Sequence, residues 1–222
     1  VSVRALPRWS LAEEIAHAVS HGVGIALAVG GTAVLVAIAA LRGDAWHITS
    51  VAVFGATLVL LYAASTVYHS IPAWVRLRRA KRVARVLDHS AIFLAIAGTY
   101  TPFTLGPLRG PWGWTLFAVV WAGAAGGIVF KTLAVEKAPV ISTALYAVMG
   151  WCVIVAFEPL TRALAPGGLA LLLAGGLCYT IGIAFYAWTR LRWGHFIWHL
   201  FVLAGSTLHY LAVLFYVLPR PA

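Results

Sequence analysis

Charges and prolines cut this chain into seven apolar runs. Each is near the length of about 20 residues that a helix needs to cross the hydrocarbon core of a bilayer. The runs lie near 16–41, 46–71, 86–104, 112–130, 140–157, 169–189 and 195–217. In lipid every backbone N–H and C=O must be satisfied within the protein, so runs of this length read as spanning helices. The composition agrees: 62% of the 222 residues are hydrophobic and only six are acidic, more apolar surface than one soluble core encloses. The expectation is an all-α bundle of seven transmembrane helices forming a single integral membrane domain, with no soluble domain left over. Pro72, Pro107, Pro111, Pro139, Pro159 and Pro166 fall in the joints, and Trp46, Trp74, Trp112 and Trp193 fall near the expected interfaces. The first run is too long for a signal-peptide core and is expected to remain as a span. Cys152 and Cys178 sit inside apolar runs with no C-x-x-C spacing, so both read as packing residues.

The basic residues fix an expected orientation. With seven spans, one side of the membrane receives Arg4, Arg8, Arg76, Arg78, Arg79, Lys81, Arg82, Arg85, Lys131, Lys137, Arg190 and Arg192, and the other only Arg42, Arg109, Arg162 and Arg220. That twelve-to-four bias predicts a cytoplasmic amino terminus and an outer carboxyl terminus. Basic residues placed this way are a membrane signature, which excludes nucleic acid as the partner. The lysines lie at loops or span ends and the seventh span has none, which excludes a retinal Schiff base. The densest cluster, in the basic loop 76–85, suits anionic lipid of the inner leaflet. Leu77 to Leu87 is amphipathic and is expected to lie along the membrane surface before the third span.

Orientation also gathers the polar residues. His69 closes the second span, Asp88 opens the third, and His195 and His199 open the seventh, all at the expected cytoplasmic depth. Residues four apart share a helical face, so His195 and His199 offer two nitrogens on one side of the last span. With His69 they make three nitrogen donors, a set that suits zinc with a fourth position open to water. Asp88 is placed to ligate or to hold that water. Ser65, one turn below His69, is placed to orient a ligand or to donate to a substrate oxygen. Ionisable groups at such depth are costly to keep without a role. Glu13, His17 and His21 form a competing set at four-residue steps on the first span. On chemistry alone they complete or replace the site. Glu13 and Glu14 read more simply as first-turn acids complementing the helix dipole, and His17 and His21 as supporting or packing residues. His209 lies about 15 Å along the helix from His199, too far to share the ion. His47 belongs to the far end of the second span, and His89 is turned away from Asp88's direction by one helical step.

These residues carry a family resemblance. E-E-I-A-H-A-V-S-H-G at 13–22, S-T-V-Y-H at 65–69, L-D-H-S-A-I-F-L-A-I-A-G-T-Y-T-P at 87–102 and H-F-I-W-H at 195–199 together resemble hemolysin III. That is the bacterial branch of the progestin and adipoQ receptor family, which also contains the adiponectin receptors. The resemblance implies seven spans with a cytoplasmic amino terminus and a zinc ion near the inner leaflet. It implies His69, His195 and His199 as ligands, Asp88 bonded to the zinc water, and Ser65 as the family's serine. In the first motif this chain has His17 where many relatives carry asparagine.

Zinc held by three histidines activates water near neutral pH and polarises carbonyls, so the expected chemistry is hydrolysis. Asp88 would move the proton and Ser65 assist the oxyanion. A site among helices at the cytoplasmic leaflet admits substrate laterally, which points to a lipid amide or ester. The resemblance adds ceramidase-like chemistry, since the wider superfamily includes alkaline ceramidases. Two other readings compete: a non-enzymatic sensor or regulator of membrane state with a structural zinc, and a lytic membrane protein of the kind the family name suggests. The fourth zinc position separates the first two, because an open one favours hydrolysis and a closed one favours structure.

Overall fold

The computed structural model describes residues 9–72, 77–134 and 139–219. Among them every regular element is helical: α1 (Leu11–Arg42), α2 (Ala45–Ser70), α3 (Arg78–Leu105), α4 (Pro111–Ala134), α5 (Pro139–Gly150), α6 (Phe157–Ala163), α7 (Pro166–Ala187) and α8 (Gly194–Ala212). A 3-10 segment, Cys152–Ala156, joins α5 to α6, and a π-turn, Val213–Val217, extends α8. Six segments are long and apolar enough to cross a membrane: Leu11–Arg42, Ala45–Ser70, Pro111–Leu133, Val140–Ala163, Pro166–Ala187 and Gly194–Val217. Arg4, Arg8, Trp74, Arg76, Lys137 and Arg220 lie outside the described residues.

The solvent these helices are built for is legible on α1. Leu11, Ile15, Val19, Val23 and Leu27, at successive four-residue steps, are all exposed, whereas His17, Ser20 and His21 on the other face are buried. A helix that turns its polar face inward and its aliphatic face outward is matched to hydrocarbon and not to water.

The helix α3 stands apart from those six because its first turns carry Arg78, Arg79, Lys81, Arg82, Arg85 and Asp88. From Asp88 to Leu105 no residue is exposed, so neighbouring helices surround it and it need not be apolar toward lipid. The buried hydroxyls of Thr99, Thr101 and Thr104 donate to the carbonyls of Ala95 (2.7 Å), Ala97 (2.9 Å) and Tyr100 (3.0 Å), one turn back on the same helix. Small residues let its partners approach: a Cβ at Gly98 would collide with the Thr57 side chain of α2, as one at Gly55 would with Thr32 of α1.

Two expectations need correction. The amphipathic segment Leu77–Leu87 is not a separate surface helix, because α3 runs unbroken from Arg78. Its inward face is Lys81, Ala84 and Asp88, while Val83 and Leu87 point outward. The stretch expected as one span near 140–157 is broken after Gly150 and continues to Ala163. Tyr100 of α3 accounts for the break. Its hydroxyl lies 3.0 and 2.8 Å from the Met149 and Gly150 carbonyls, and it accepts the Val153 N–H at 2.9 Å. Backbone groups freed at membrane depth thereby find a partner inside the protein.

Candidate metal centre

The site begins with the way α1 starts. Ser10 caps it, accepting from the Glu13 N–H, while the Glu13 side chain returns to the Ser10 N–H at 2.9 Å. Oxygen Oε1 of the same carboxylate accepts the Trp193 N–H at 3.1 Å. Trp193 precedes α8 with a left-handed backbone (φ 63°), a strained conformation for a bulky residue that this bond helps to hold. Glu14 reaches the other way. Its Oε2 lies 2.8 Å from His69 Nδ1 at the end of α2, and its Oε1 accepts from Lys81 Nζ at 2.6 Å. Lys81, with no exposed surface, also donates to the Ile71 carbonyl at 2.8 Å and sits 5.1 Å from the centre of the Tyr68 ring. The two first-turn acids therefore tie α1 to the starts and ends of the helices that carry His195 and His69.

Between those ties lie the imidazoles. His17, His69 and His195 each offer a ring nitrogen within 4.8 Å of the others, a group that can hold a metal ion. The Nε2 atoms of His69 and His195 face each other at 3.3 Å. His199 stands beside the group with its ring centre 4.8 Å from that of His195, 5.1 Å from His69 and 5.2 Å from His17. Its other neighbour is His21, stacked on it at 3.7 Å.

Hydrogen bonds set the tautomers. A carboxylate only accepts, so His69 Nδ1 carries its proton toward Glu14 and its Nε2 keeps the lone pair. The Ser20 hydroxyl donates its one hydrogen to the His17 carbonyl at 2.9 Å. His199 Nδ1, 3.1 Å from that oxygen, must therefore be the donor, which leaves its Nε2 with a lone pair. Neither ring nitrogen of His17 has a hydrogen-bond partner among the described residues, although both are buried. Nitrogen donors from three helices, Nε2 lone pairs on His69 and His199, and a buried imidazole with no hydrogen-bond partner among the described residues fit a zinc-type divalent ion. Trp9 covers the group from the side where α1 starts, with its ring centre 4.7 Å from His195, 5.1 Å from His69 and 5.2 Å from His17.

The sequence-derived residues fall as follows. His69 and His195 meet directly, and His199 is adjacent. Ser65 and Asp88 are buried and line one cavity of about 130 Å³ with His195 and His199; much of its remaining wall is apolar, including Leu61, Ile92 and Val202. His89 lines the same cavity, its Nε2 3.4 Å from the Tyr186 hydroxyl. His209 Nε2 is spent on the Leu172 carbonyl at 3.0 Å, and His47 sits on Asp44 at the far end of α2. Sequence reasoning left Glu14, Lys81 and Trp9 out of the site. Glu14 and Lys81 have no local signal beyond being charges at helix starts. His17 did have one, its four-residue step from Glu13 and His21 on the buried face of α1.

A family model described as haemolysin-III related matches residues 9–210. The chain is 45% identical over 213 residues to the hemolysin-3 homolog of Bacillus subtilis (strain 168), covering 96% of this chain and 98% of that protein. It is 47% identical over 207 residues to hemolysin-3 of Bacillus cereus, covering 93% of each. It is also 31% identical over 216 residues to the human monocyte to macrophage differentiation factor, covering 94% of this chain and 86% of that protein. With its apolar helices and these relatives, the chain is an integral protein of the plasma membrane, and it belongs to the haemolysin-III-related family.

Proposed function

We propose that this chain is a zinc-dependent hydrolase of a lipid amide or ester, working at the cytoplasmic leaflet. The observation that supports it best is the shared cavity: Asp88 and Ser65 line it beside His195 and His199, with Leu61, Ile92 and Val202 supplying a surface suited to an acyl chain. In this reading α3 is the seventh span of a single domain, since its 28 residues rise about 42 Å, more than a hydrocarbon core requires. The amino terminus is cytoplasmic and the carboxyl terminus outside, and the exposed Arg78, Arg79 and Arg82 meet anionic inner-leaflet lipid.

His69, His195 and His199 would hold the ion, the first oriented by Glu14 and the last by Ser20, and a bound zinc would supply Lewis acidity toward a carbonyl and toward water near neutral pH. Asp88 takes the proton from the attacking water and returns it to the leaving amine or alcohol at its carboxylate. Ser65 donates its hydroxyl to the developing oxyanion. Trp9 excludes bulk water from the aqueous side, and the substrate enters from lipid.

One observation favours a second reading. His17 brings a further imidazole to the cluster, and a centre with every position filled by protein is the signature of a structural site. The protein would then be a regulator or sensor whose zinc staples helices.

Metal analysis beside turnover of lipid amides and esters separates the two. His69→Ala, His195→Ala and His199→Ala should deplete the metal, while Asp88→Asn keeps it and loses turnover. A metal-loaded parent with no turnover on the panel leaves the regulator, and leak of vesicles that survives Asp88→Asn would mean lysis.

A further inference from the structure

We infer that His17 is a ligand of the metal centre, so that the ion joins α1 to α2 and α8. The inference rests on the zinc reading of the cluster, adds a ligand that the family resemblance does not give and, by filling the fourth position, favours the zinc that staples helices over the hydrolase. Three observations carry it. First, the ring nitrogens that come within 4.8 Å of one another belong to His17, His69 and His195, one from each of three helices. Secondly, His17 is fully buried and neither nitrogen has a hydrogen-bond partner among the described residues. A buried imidazole kept only for packing normally finds one, as His209 finds the Leu172 carbonyl. Thirdly, the rings of His17, His69, His195 and His199 are nearly equidistant, with the six centre-to-centre separations between 4.7 and 5.2 Å. With a metal–nitrogen bond of about 2.0–2.1 Å, and a ring centre about 1.2 Å farther out, imidazoles at the corners of a tetrahedron stand about 5 Å apart.

His21 is the natural control. It too is buried with both nitrogens unpartnered, and it lies one turn along the same face of α1. Its ring, however, contacts those of Tyr62 and His199, whereas His17 and His199 both contact the rings of His69 and His195. The chemistry therefore selects His17 and not its neighbour.

The test uses purified full-length protein, with zinc affinity measured by chelator competition and imidazole scatterers counted by zinc-edge X-ray absorption. His17→Ala and His17→Asn should each bind zinc at least about tenfold more weakly. Each should show one imidazole fewer than the parent, while His21→Asn keeps the parent's values. The zinc-induced rise in melting temperature should shrink in step with the affinity. Melting curves of the metal-free proteins identify a variant that has lost its fold, and the asparagine variant, polar and smaller, is the one least exposed to that failure. Unchanged affinity and imidazole count in a folded His17→Asn would overturn the inference alone. A parent that takes up no zinc would overturn the metal reading of the whole cluster as well.

Discussion

Glu14 holds His69 Nδ1 at 2.8 Å with one oxygen and the Lys81 ammonium at 2.6 Å with the other. The carboxylate thus orients a candidate metal ligand and neutralises a lysine that has no exposed surface. Replacing Glu14 by Gln removes the acceptor-only group that fixes the His69 tautomer, and metal affinity should fall about 10- to 100-fold. The same change leaves Lys81 charged, buried and without its counter-ion, which should cost about 3–5 kcal/mol of stability. Lys81→Met in the Glu14→Gln background should recover much of that stability and none of the affinity. A double-mutant cycle reads both, and full additivity in the melts would mean that the two side chains are not coupled.

Trp9 stacks on His195 at 4.7 Å with 29° between the planes, meets His17 edge-on and lies tilted against His69. An indole in that place slows water and chelators more than it binds metal. Trp9→Ala should therefore accelerate removal of the metal by EDTA with little change in equilibrium affinity, and Trp9→Phe should retain most of the protection. Stopped-flow extraction against equilibrium competition separates the two quantities; equal extraction rates in parent and Trp9→Ala would place the access route elsewhere.

Tyr100 serves three backbone groups where α5 gives way to the 3-10 segment. Tyr100→Phe keeps the ring and removes the hydroxyl, leaving the partly buried Val153 N–H without its acceptor. The expected loss is about 1–3 kcal/mol in melts of the detergent-solubilised protein. The variant should keep its metal, because Tyr100 lies about 18 Å along α3 from Asp88 by helical rise and its hydroxyl serves only backbone groups of Met149, Gly150 and Val153.

Most of the architecture was readable in one dimension because length and apolarity decide what can cross a bilayer. That the rings of His69, His195 and His199 meet was readable because His195 and His199 share one helical face and His69 closes a neighbouring helix. Readability failed where a third helix decides the outcome. Lys81 looks like one more surface base until α1 supplies Glu14. Gly150 looks like the interior of a span until Tyr100 of α3 receives the broken backbone. Leu77 to Leu87 has the periodicity of a surface helix, yet Val83 and Leu87 are exposed while Lys81 turns inward to Glu14, and Arg78, Arg79 and Arg82 stay outside. Amphipathic spacing identifies two faces and is silent on which of them is solvated by hydrocarbon.

At the opposite end of α2, Asp44 caps the helix, accepting the N–H groups of Trp46 (2.9 Å) and His47 (3.0 Å). The His47 ring returns to the same carboxylate at 2.7 Å, and Arg109 approaches it at 3.5 Å. The His47 backbone N–H, with the ring beside it, holds the Asp44 carboxyl down to about 2. A carboxyl whose folded pKa lies below its ordinary range near 3.8 stabilises the fold fully above that range. The contribution is lost as pH falls from there through about 2. Asp44→Ala should lower the melting temperature at neutral pH, and the gap from the parent should narrow across that acidic window. Asp44→Asn, which still accepts at the cap but cannot titrate, should lie between the two at neutral pH and show no such narrowing against Asp44→Ala. A parent-to-alanine gap that stays constant down to pH 2 would show that the cap bonds do not depend on the charge.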